Sequence, residues 1–297
     1  MKIATFTHAG VTRLGLVEGD QIVDLVGSAA PSDMMALLEA GSEGMAALAA
    51  AALSAPRLAL AEVRLEAPVG RPRKFLGLGL SFRAHVAEIR AKGVPIEIPN
   101  AQVWFNKQVS CISGPFDPIH RPPVSTELDY EGEMAFVIGK RCRHVKAEDA
   151  LSVIAGYMIC NDVSVRDWQK RSPTAHLGKS FDTHGPTGPW LTTADEIPDP
   201  GNLGIRTWVD GELRQDGRTT DFIYSVGEMI AEVSTVFTLE PGDIFSTGSP
   251  SGVGALMTPP RFLKAGQTVR IEIEGLGAIE NPVIEEPEGF VFAGGKA

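Results

Sequence analysis

Two hydrophobic rhythms divide this chain. Over residues 1 to about 26, apolar and polar positions alternate in short bursts. IATF, RLGLVEG and QIVDLV read as strands, with Glu18-Gly19-Asp20 as the turn before the last of them. The spacing then lengthens. MMALLEA, which begins at Met34, repeats its apolar positions at helical intervals up to Gly41, and Ser32 or Asp33 stands where an N-cap belongs. An alanine-rich stretch from about Glu43 to Leu53 predicts a second helix. Pro56, Pro68 and Pro72 then mark a linker and place a domain boundary near residue 67. The expected organisation is a small N-terminal unit over 1–67 and a main body over 68–297.

The main body reads mostly as strand. KFLGLGL, EMAFVIG, VIAGYMIC, GIRTWVDGELR, GDIFSTG and QTVRIEIEGLG are apolar, branched and punctuated by glycine, several with Asp-Gly or Glu-Gly turns. Two helices interrupt them: FRAHVAEIRAKG (Phe82 to Gly93), ended by glycine, and residues 223–237, IYSVGEMIAEVSTVF. GVPIEIPN reads as a loop and the tail VFAGGKA as a frayed end. The fold class is therefore mainly β with α, an α+β protein. Composition agrees: 43% hydrophobic residues can fill a core, and Gly 32 with Pro 21 in 297 residues suits a turn-rich β body.

A net charge of −10 argues against nucleic acid or an anionic membrane as partner. Cys111, Cys142 and Cys160 are widely spaced, odd in number and form no CxxC, as in a reduced cytosolic protein. MKIATFTHAG is not a signal peptide, and the most apolar helical stretch is too short to span a bilayer. A cytoplasmic location is expected.

The chemistry concentrates in a few runs. Glu131 and Glu133 lie in LDYEGEMAFVIGK. On a strand, residues two apart face the same side, roughly 7 Å apart at Cα. Two like charges so close need a partner, and a hard divalent cation prefers carboxylate oxygen. Asp162, after the apolar run VIAGYMIC, offers a third carboxylate. In NDVSVRDWQ, Arg166 and Asp167 are expected to pair as a structural bridge, leaving Gln169 to face a ligand. His85 and Glu88 share a helix face at i, i+3, the arrangement of an imidazole oriented by a carboxylate into a general base. The glycines of GLGLSFRAH suit a mobile lid. Lys179 in HLGKSFDTHGP can bind a substrate carboxylate or steady an enolate oxygen, and Lys107 is a weaker version of the same. FSTGSPSGVG, with Thr247 and Ser249, is a strand-end loop rich in N–H groups and not a Walker loop. No nucleophile elbow, HExxH, paired CxxC or full dinucleotide fingerprint occurs.

Together these runs resemble the fumarylacetoacetate hydrolase family. The resemblance is carried, in order over about residues 70 to 280, by GLGLSFRAHVAE, FNKQVSCISGP, LDYEGEMAFVIGK, NDVSVRDWQ, LGKSFDTHGPTGPW, LEPGDIFSTGSPSGVG and KAGQTVRIEIEGLG. It implies a mixed β-sandwich roll around the active site, with the small N-terminal α+β unit as the family's usual appendage. It implies one Mg²⁺ or Mn²⁺ per subunit on Glu131, Glu133 and Asp162, and a water-activating dyad of His85 and Glu88 on a lid helix. Lys179 is then catalytic, with Arg83, Gln169, Thr247, Gly248 and Ser249 as substrate contacts, and the protein is a homodimer. The chain departs from the family pattern twice. Ser81-Phe82 stands where the family often has Asn-Tyr, and the loop reads Thr247-Gly248-Ser249-Pro250 where TGTP is usual.

The activity implied is metal-dependent hydrolysis of a C–C bond in a β-diketone or acylpyruvate-type 2-oxo acid, a small anion. The alternatives are decarboxylation of a 2-oxo acid, or dienoate isomerisation or hydration, through the same enolate. A non-catalytic metal-binding scaffold is the remaining alternative, and the complete dyad, lysine and acidic trio speak against it.

Overall fold

In the computed structural model, residues 1–98 and 100–288 are described; the tail VFAGGKA lies outside them, as does Pro99 of the predicted loop. The N-terminal alternation folds as read. Strands β1 (Lys2–His8), β2 (Val11–Glu18) and β3 (Gln21–Asp24) form an antiparallel meander. The two predicted helices run as one element, α1 (Met34–Ala52), broken at Gly41, whose φ of 56° and ψ of −130° interrupt the helical backbone. Asp33 caps it, its carboxylate accepting the N–H of Ala36 at 2.9 Å. β4 (Arg57–Ala59) and β5 (Arg64–Leu65) complete the unit. β1 also pairs with a strand of the main body through Lys2↔Thr192 and Ile3↔Leu191, so the N-terminal strands extend the main sheet.

The remaining elements follow in chain order. They begin with β6 (Phe75–Gly79), α2 (Arg83–Ala91), β7 (Val103–Asn106), β8 (Ile112–Ser113), β9 (Ile119–Arg121) and β10 (Leu128–Asp129). Next come β11 (Gly132–Ile138), β12 (Ile154–Asn161), β13 (Ser164–Val165), α3 (Arg166–Gln169) and β14 (Gly185–Thr193). The last are β15 (Gly204–Val209), β16 (Glu212–Arg218), α4 (Val226–Val236), β17 (Ile244–Ser246), β18 (Thr268–Ile273) and β19 (Gly277–Glu285).

Among the described residues, one 12-stranded sheet runs in the order β4-β3-β2-β1-β14-β12-β11-β17-β6-β7, with β5 and β8 attached to β1 and β14. A 5-stranded sheet, β16-β15-β18-β19-β9, packs beside it, and neither closes into a barrel. The protein is α+β. β11 is buried on both faces, and its alternation divides the core. Met134, Phe136 and Ile138 point into a cluster shared with Ile205, Val269, Ile271 and Ile279 of the smaller sheet, and with Met229, Ile230 and Val233 of α4. Ala135 and Val137 point the other way, against Leu37, Leu38 and Leu48 of α1. No helix among the described residues is long and apolar enough to cross a membrane.

One central strand escaped the sequence pattern. β14 reads GPTGPWLTT, and two prolines in nine residues argue against a mid-sheet position. It nevertheless lies between β1 and β12. A register irregularity at Tyr157/Ile159, where pairing jumps from Thr192 to Gly188, absorbs the stretch that cannot hold a regular ladder.

α4 is held at its start by a capping box. The Glu228 N–H donates to the Ser225 hydroxyl at 3.2 Å and the Ser225 N–H to the Glu228 carboxylate at 2.7 Å. Ser225→Ala is expected to lower unfolding stability by about 1 kcal/mol, read as a lower urea midpoint with an unchanged slope.

Candidate active site and metal cradle

The acidic residues converge because of strand register. β11 pairs with β12 through Gly132↔Asn161 and Glu133↔Cys160, which sets Asp162 beside Glu131; the Asp162 N–H donates to the Glu131 carbonyl at 2.9 Å. Glu131, Glu133 and Asp162 each offer a carboxylate oxygen, and these lie within 4.8 Å of one another. All three side chains are buried, as is Asp129. Gly132 is the spacer the arrangement requires. A Cβ there would sit 2.3 Å from Thr207 Oγ1 on the facing sheet, so only glycine lets the strand approach this closely.

Three buried cations answer these four carboxylates. Lys179 Nζ lies 2.5 Å from Asp162 Oδ2 and 2.5 Å from Glu131 Oε2. Lys107 Nζ lies 2.7 Å from Asp162 Oδ1 and donates to the carbonyls of Lys179 and His184. The Arg166 guanidinium donates to Asp129 Oδ2 at 2.9 Å, Glu131 Oε1 at 2.6 Å and Gln169 Oε1 at 3.0 Å. The expected Arg166–Asp167 bridge does not form. Adjacent helical residues point apart; Arg166 turns inward to the unneutralised carboxylates, and Asp167 accepts from the Ser125 hydroxyl at 2.6 Å. Asp129, and the inward turn of Arg166, are the parts of this buried charge cluster that the sequence pattern does not predict. For Asp129 the signal was present, since it precedes Glu131 by two in the same acidic run.

The charges are uneven. Burial pushes Glu131 up, but Arg166 and Lys179 outweigh it and hold the carboxyl below the usual range. Glu133 has no lysine or arginine partner among the described residues. Its Oε2 accepts the Ser246 hydroxyl at 2.5 Å and the Gly248 N–H at 2.9 Å. Burial, followed by the repulsion of Asp162 and Glu131, raises it well above the ordinary carboxylate range. An all-carboxylate donor set with one charge uncompensated fits a hard divalent cation.

Helix α2 brings His85 to the same place. His85 Nδ1 lies 3.3 Å from Glu88 Oε2, and Glu88 is held from behind by the Gly252 N–H at 3.1 and 3.2 Å. Where the family often has Asn-Tyr, the Ser81 hydroxyl donates to the Thr247 carbonyl at 2.6 Å and Phe82 meets Phe222 edge-on at 4.8 Å between ring centroids. A cavity of about 400 Å³ is lined by His85, Gln169, Lys179, Ser249 and the three carboxylates, with Trp104, Ile89 and Leu256 among its apolar walls. The Ser249 hydroxyl accepts from Gln215 Nε2 at 2.6 Å. Three expected substrate contacts lie outside this lining. Thr247 donates its hydroxyl to the Met134 carbonyl at 2.8 Å, the Gly248 N–H serves Glu133, and Arg83 donates to the carbonyls of Asp221 and Phe222.

Residues 74–284 match the family described as fumarylacetoacetate (FAA) hydrolase, C-terminal, and residues 1–68 match one described as Rv2993c-like, N-terminal. Similar proteins include the mitochondrial oxaloacetate tautomerase fahd2 of Xenopus laevis, 43% identical over 276 residues, or 91% of this chain and 85% of that protein. The mitochondrial oxaloacetate tautomerase Fahd2a of Rattus norvegicus is 43% identical over 90% of this chain and 85% of its own. Among solved structures, a fumarylacetoacetate hydrolase from Exiguobacterium antarcticum superposes with a TM-score of 0.84 at 36% identity, covering 96% of this chain and 100% of that one. A maleylpyruvate hydrolase from Sphingobium sp. SYK-6, in complex with manganese(II) ion and pyruvate, gives 0.79 at 34% identity, covering 97% and 100%.

Two outcomes follow from this geometry. Gly132→Ala is expected to cost about 1–3 kcal/mol of stability through overpacking and to weaken Mn²⁺ binding in a direct titration, because it separates the two glutamates from Asp162. His184 gives a pH dependence. Burial pulls it from 6.5 down to about 3, and one ring nitrogen, Nε2, lies 2.8 Å from the His120 carbonyl. A depressed pKa stabilises the fold fully above pH 6.5, and the contribution is lost as pH falls towards 3. Urea midpoints should decline across that window, less steeply in His184→Gln.

Proposed function

The chain belongs to the fumarylacetoacetate hydrolase family, and on that footing we propose that it hydrolyses a carbon–carbon bond in a small acylpyruvate-type 2-oxo acid. One observation carries this reading: His85, paired through Nδ1 with Glu88, lines the same cavity as Lys179 and the three buried carboxylates. A divalent cation, Mg²⁺ or Mn²⁺, held by Glu131, Glu133 and Asp162 would supply Lewis-acid stabilisation of negative charge at that end of the cavity.

Glu88 as a carboxylate can only accept, so His85 carries its proton on Nδ1 and leaves Nε2 free as a base. His85 takes a proton from water, and the resulting hydroxide adds to the distal acyl carbonyl. The carbon–carbon bond then breaks. The acyl fragment leaves as a carboxylic acid and the electron pair stays on pyruvate as its enolate. Lys179 places an ammonium where that oxygen charge develops. The proton held by His85 returns to the enolate carbon, so the balance is acylpyruvate plus water giving carboxylic acid plus pyruvate. Gln169, braced by Arg166, offers its amide to the substrate from the cavity wall.

A second reading is favoured by the two oxaloacetate tautomerases at 43% identity. In it His85 shuttles a proton between carbon and oxygen of a 2-oxo dicarboxylate, and no water is added.

The test is a substrate panel of acylpyruvates, maleylpyruvate and enol-oxaloacetate, assayed with Mg²⁺ or Mn²⁺ and again after chelation by EDTA. Pyruvate release that is lost on chelation and restored by metal is the expected result. His85→Ala should lower kcat by about 10²–10⁴-fold, and hydrolysis at the wild-type rate in that variant would remove the dyad from the mechanism. Ketonisation of enol-oxaloacetate without pyruvate release from any acylpyruvate would replace the first reading by the second.

A further inference from the structure

A second cavity, of about 580 Å³, lies apart from the acidic one and has the opposite charge. Arg121, Arg214, Arg261 and Lys264 line it, with Glu285 as the acid among its lining residues. In a chain of net charge −10 such a concentration of cations is a local exception. Three of the four already hold carboxylates. Arg121 clasps Glu285, and Arg261 and Arg214 share Glu212. Those acids are half exposed or more, so an incoming dianion can reach the same guanidinium groups and replace one set of charge-assisted contacts by another. Lys264 makes no ion pair among those found in the described residues. Arg214 has only 5% of its side chain exposed, and its Nε is buried without a hydrogen-bond partner.

This cavity is joined to the active site. The segment after Pro250 lines the acidic cavity through Val253, Ala255 and Leu256, then lines the basic one over residues 260–265. Arg214 and Gln215 are neighbours on β16. Arg214 lines the basic cavity, while Gln215 holds Ser249, Pro250 and Gly132 at the catalytic side. The charge of Arg214 acts on the Tyr130 hydroxyl, which donates to the Gly252 carbonyl at 2.9 Å. Gly252 in turn holds Glu88, the partner of His85. A Cβ on Gly252 would sit 2.0 Å from the Arg214 carbonyl, so loop and strand are in direct contact.

We propose that the basic cavity is a second binding site, for a small polyanion such as phosphate or a dicarboxylate, and that its occupancy is transmitted to the His85–Glu88 pair through Arg214, Tyr130 and Gly252. The binding half stands on the cavity alone; the coupling half rests on the dyad reading above. The anion takes Lys264 and Arg214 Nε as new donors and draws Arg214 outward, which alters the support of Gly252 beneath Glu88.

Calorimetric titration of the intact, Mg²⁺-loaded protein with inorganic phosphate, and separately with succinate, tests the site. Saturable binding is expected, weakened about tenfold in Lys264→Glu, the loss of one charge-assisted contact, and unchanged in Glu133→Gln. Whichever anion binds more tightly names the ligand class. No saturable binding, or binding indifferent to Lys264→Glu, overturns the site, whether or not any substrate is turned over. For the coupling, the bound anion should change kcat about fivefold or more and move the acid limb of the pH–rate profile. Tyr130→Phe should abolish both effects while leaving phosphate binding intact. Binding with no change in turnover overturns the coupling and leaves the proposed reaction untouched.

Discussion

The site depends on burying four carboxylates against three cations. Each buried ion gives up hydration worth several kcal/mol, recovered only by well-placed opposite charge or hydrogen bonds. Asp129, Glu131 and Asp162 are satisfied in this way by Arg166, Lys179 and Lys107. Glu133 is not, and falls back on a hydroxyl and a backbone N–H. That deficit gives the cradle an appetite for a divalent cation, and it also explains why the surrounding backbone is so fully committed. Asp129 takes the N–H groups of Gly254 and Ala255 at 2.8 and 3.0 Å, and Glu133 takes that of Gly248. The loops around the cavity are thus organised by carboxylates as much as the carboxylates are placed by strands.

The fold makes this possible by letting β11 be buried on both faces. One face completes the core between the sheets, and the other leads from Ala135 and Val137 up to Glu133 and the cavity. Gln215 joins the sheets at this level, accepting from Gly132 at 3.0 Å and donating to Ser249 and the Pro250 carbonyl. Helix α2 is held in two independent ways: Ser81 and Phe82 anchor its start, and Glu88 docks on Gly252.

Much of this was legible in the sequence because it follows from periodicity. The N-terminal meander, the break at Gly41, α2, α4 and β11 all come from alternation, caps and glycine stops acting within a few residues. The acidic trio was legible for a related reason, since a residue spacing of two in near-extended chain at the start of β11 turns both glutamates the same way. Long-range partners were not. Sequence proximity pairs Arg166 with Asp167 beside it, whereas its bonds reach Asp129 and Glu131, across a pairing that only the tertiary register creates. β14 was hidden by its prolines and glycines, which are tolerated because an irregular ladder beside β12 needs fewer donors. Thr247 and Gly248 looked like ligand-facing groups because a glycine-rich strand end exposes N–H donors. Here a buried strand and a buried glutamate claim those groups first.

On the reading proposed above, the same residues would serve hydrolysis or tautomerisation, because both pass through an enolate and need the same oxygen charge held. What separates them is the access of water to His85. In hydrolysis Nε2 must reach water placed against a carbonyl carbon; in tautomerisation it must reach a substrate carbon–hydrogen bond. Both geometries use the imidazole edge that Glu88 leaves free, so the dyad alone does not choose. The choice falls to whatever fills the cavity beside the acidic cradle. Trp104, Ile89, Val253 and Leu256 make that wall largely apolar. A substrate whose distal group packs there brings its acyl carbonyl, and not an extra carboxylate, towards His85, and it is the carbonyl that water can attack.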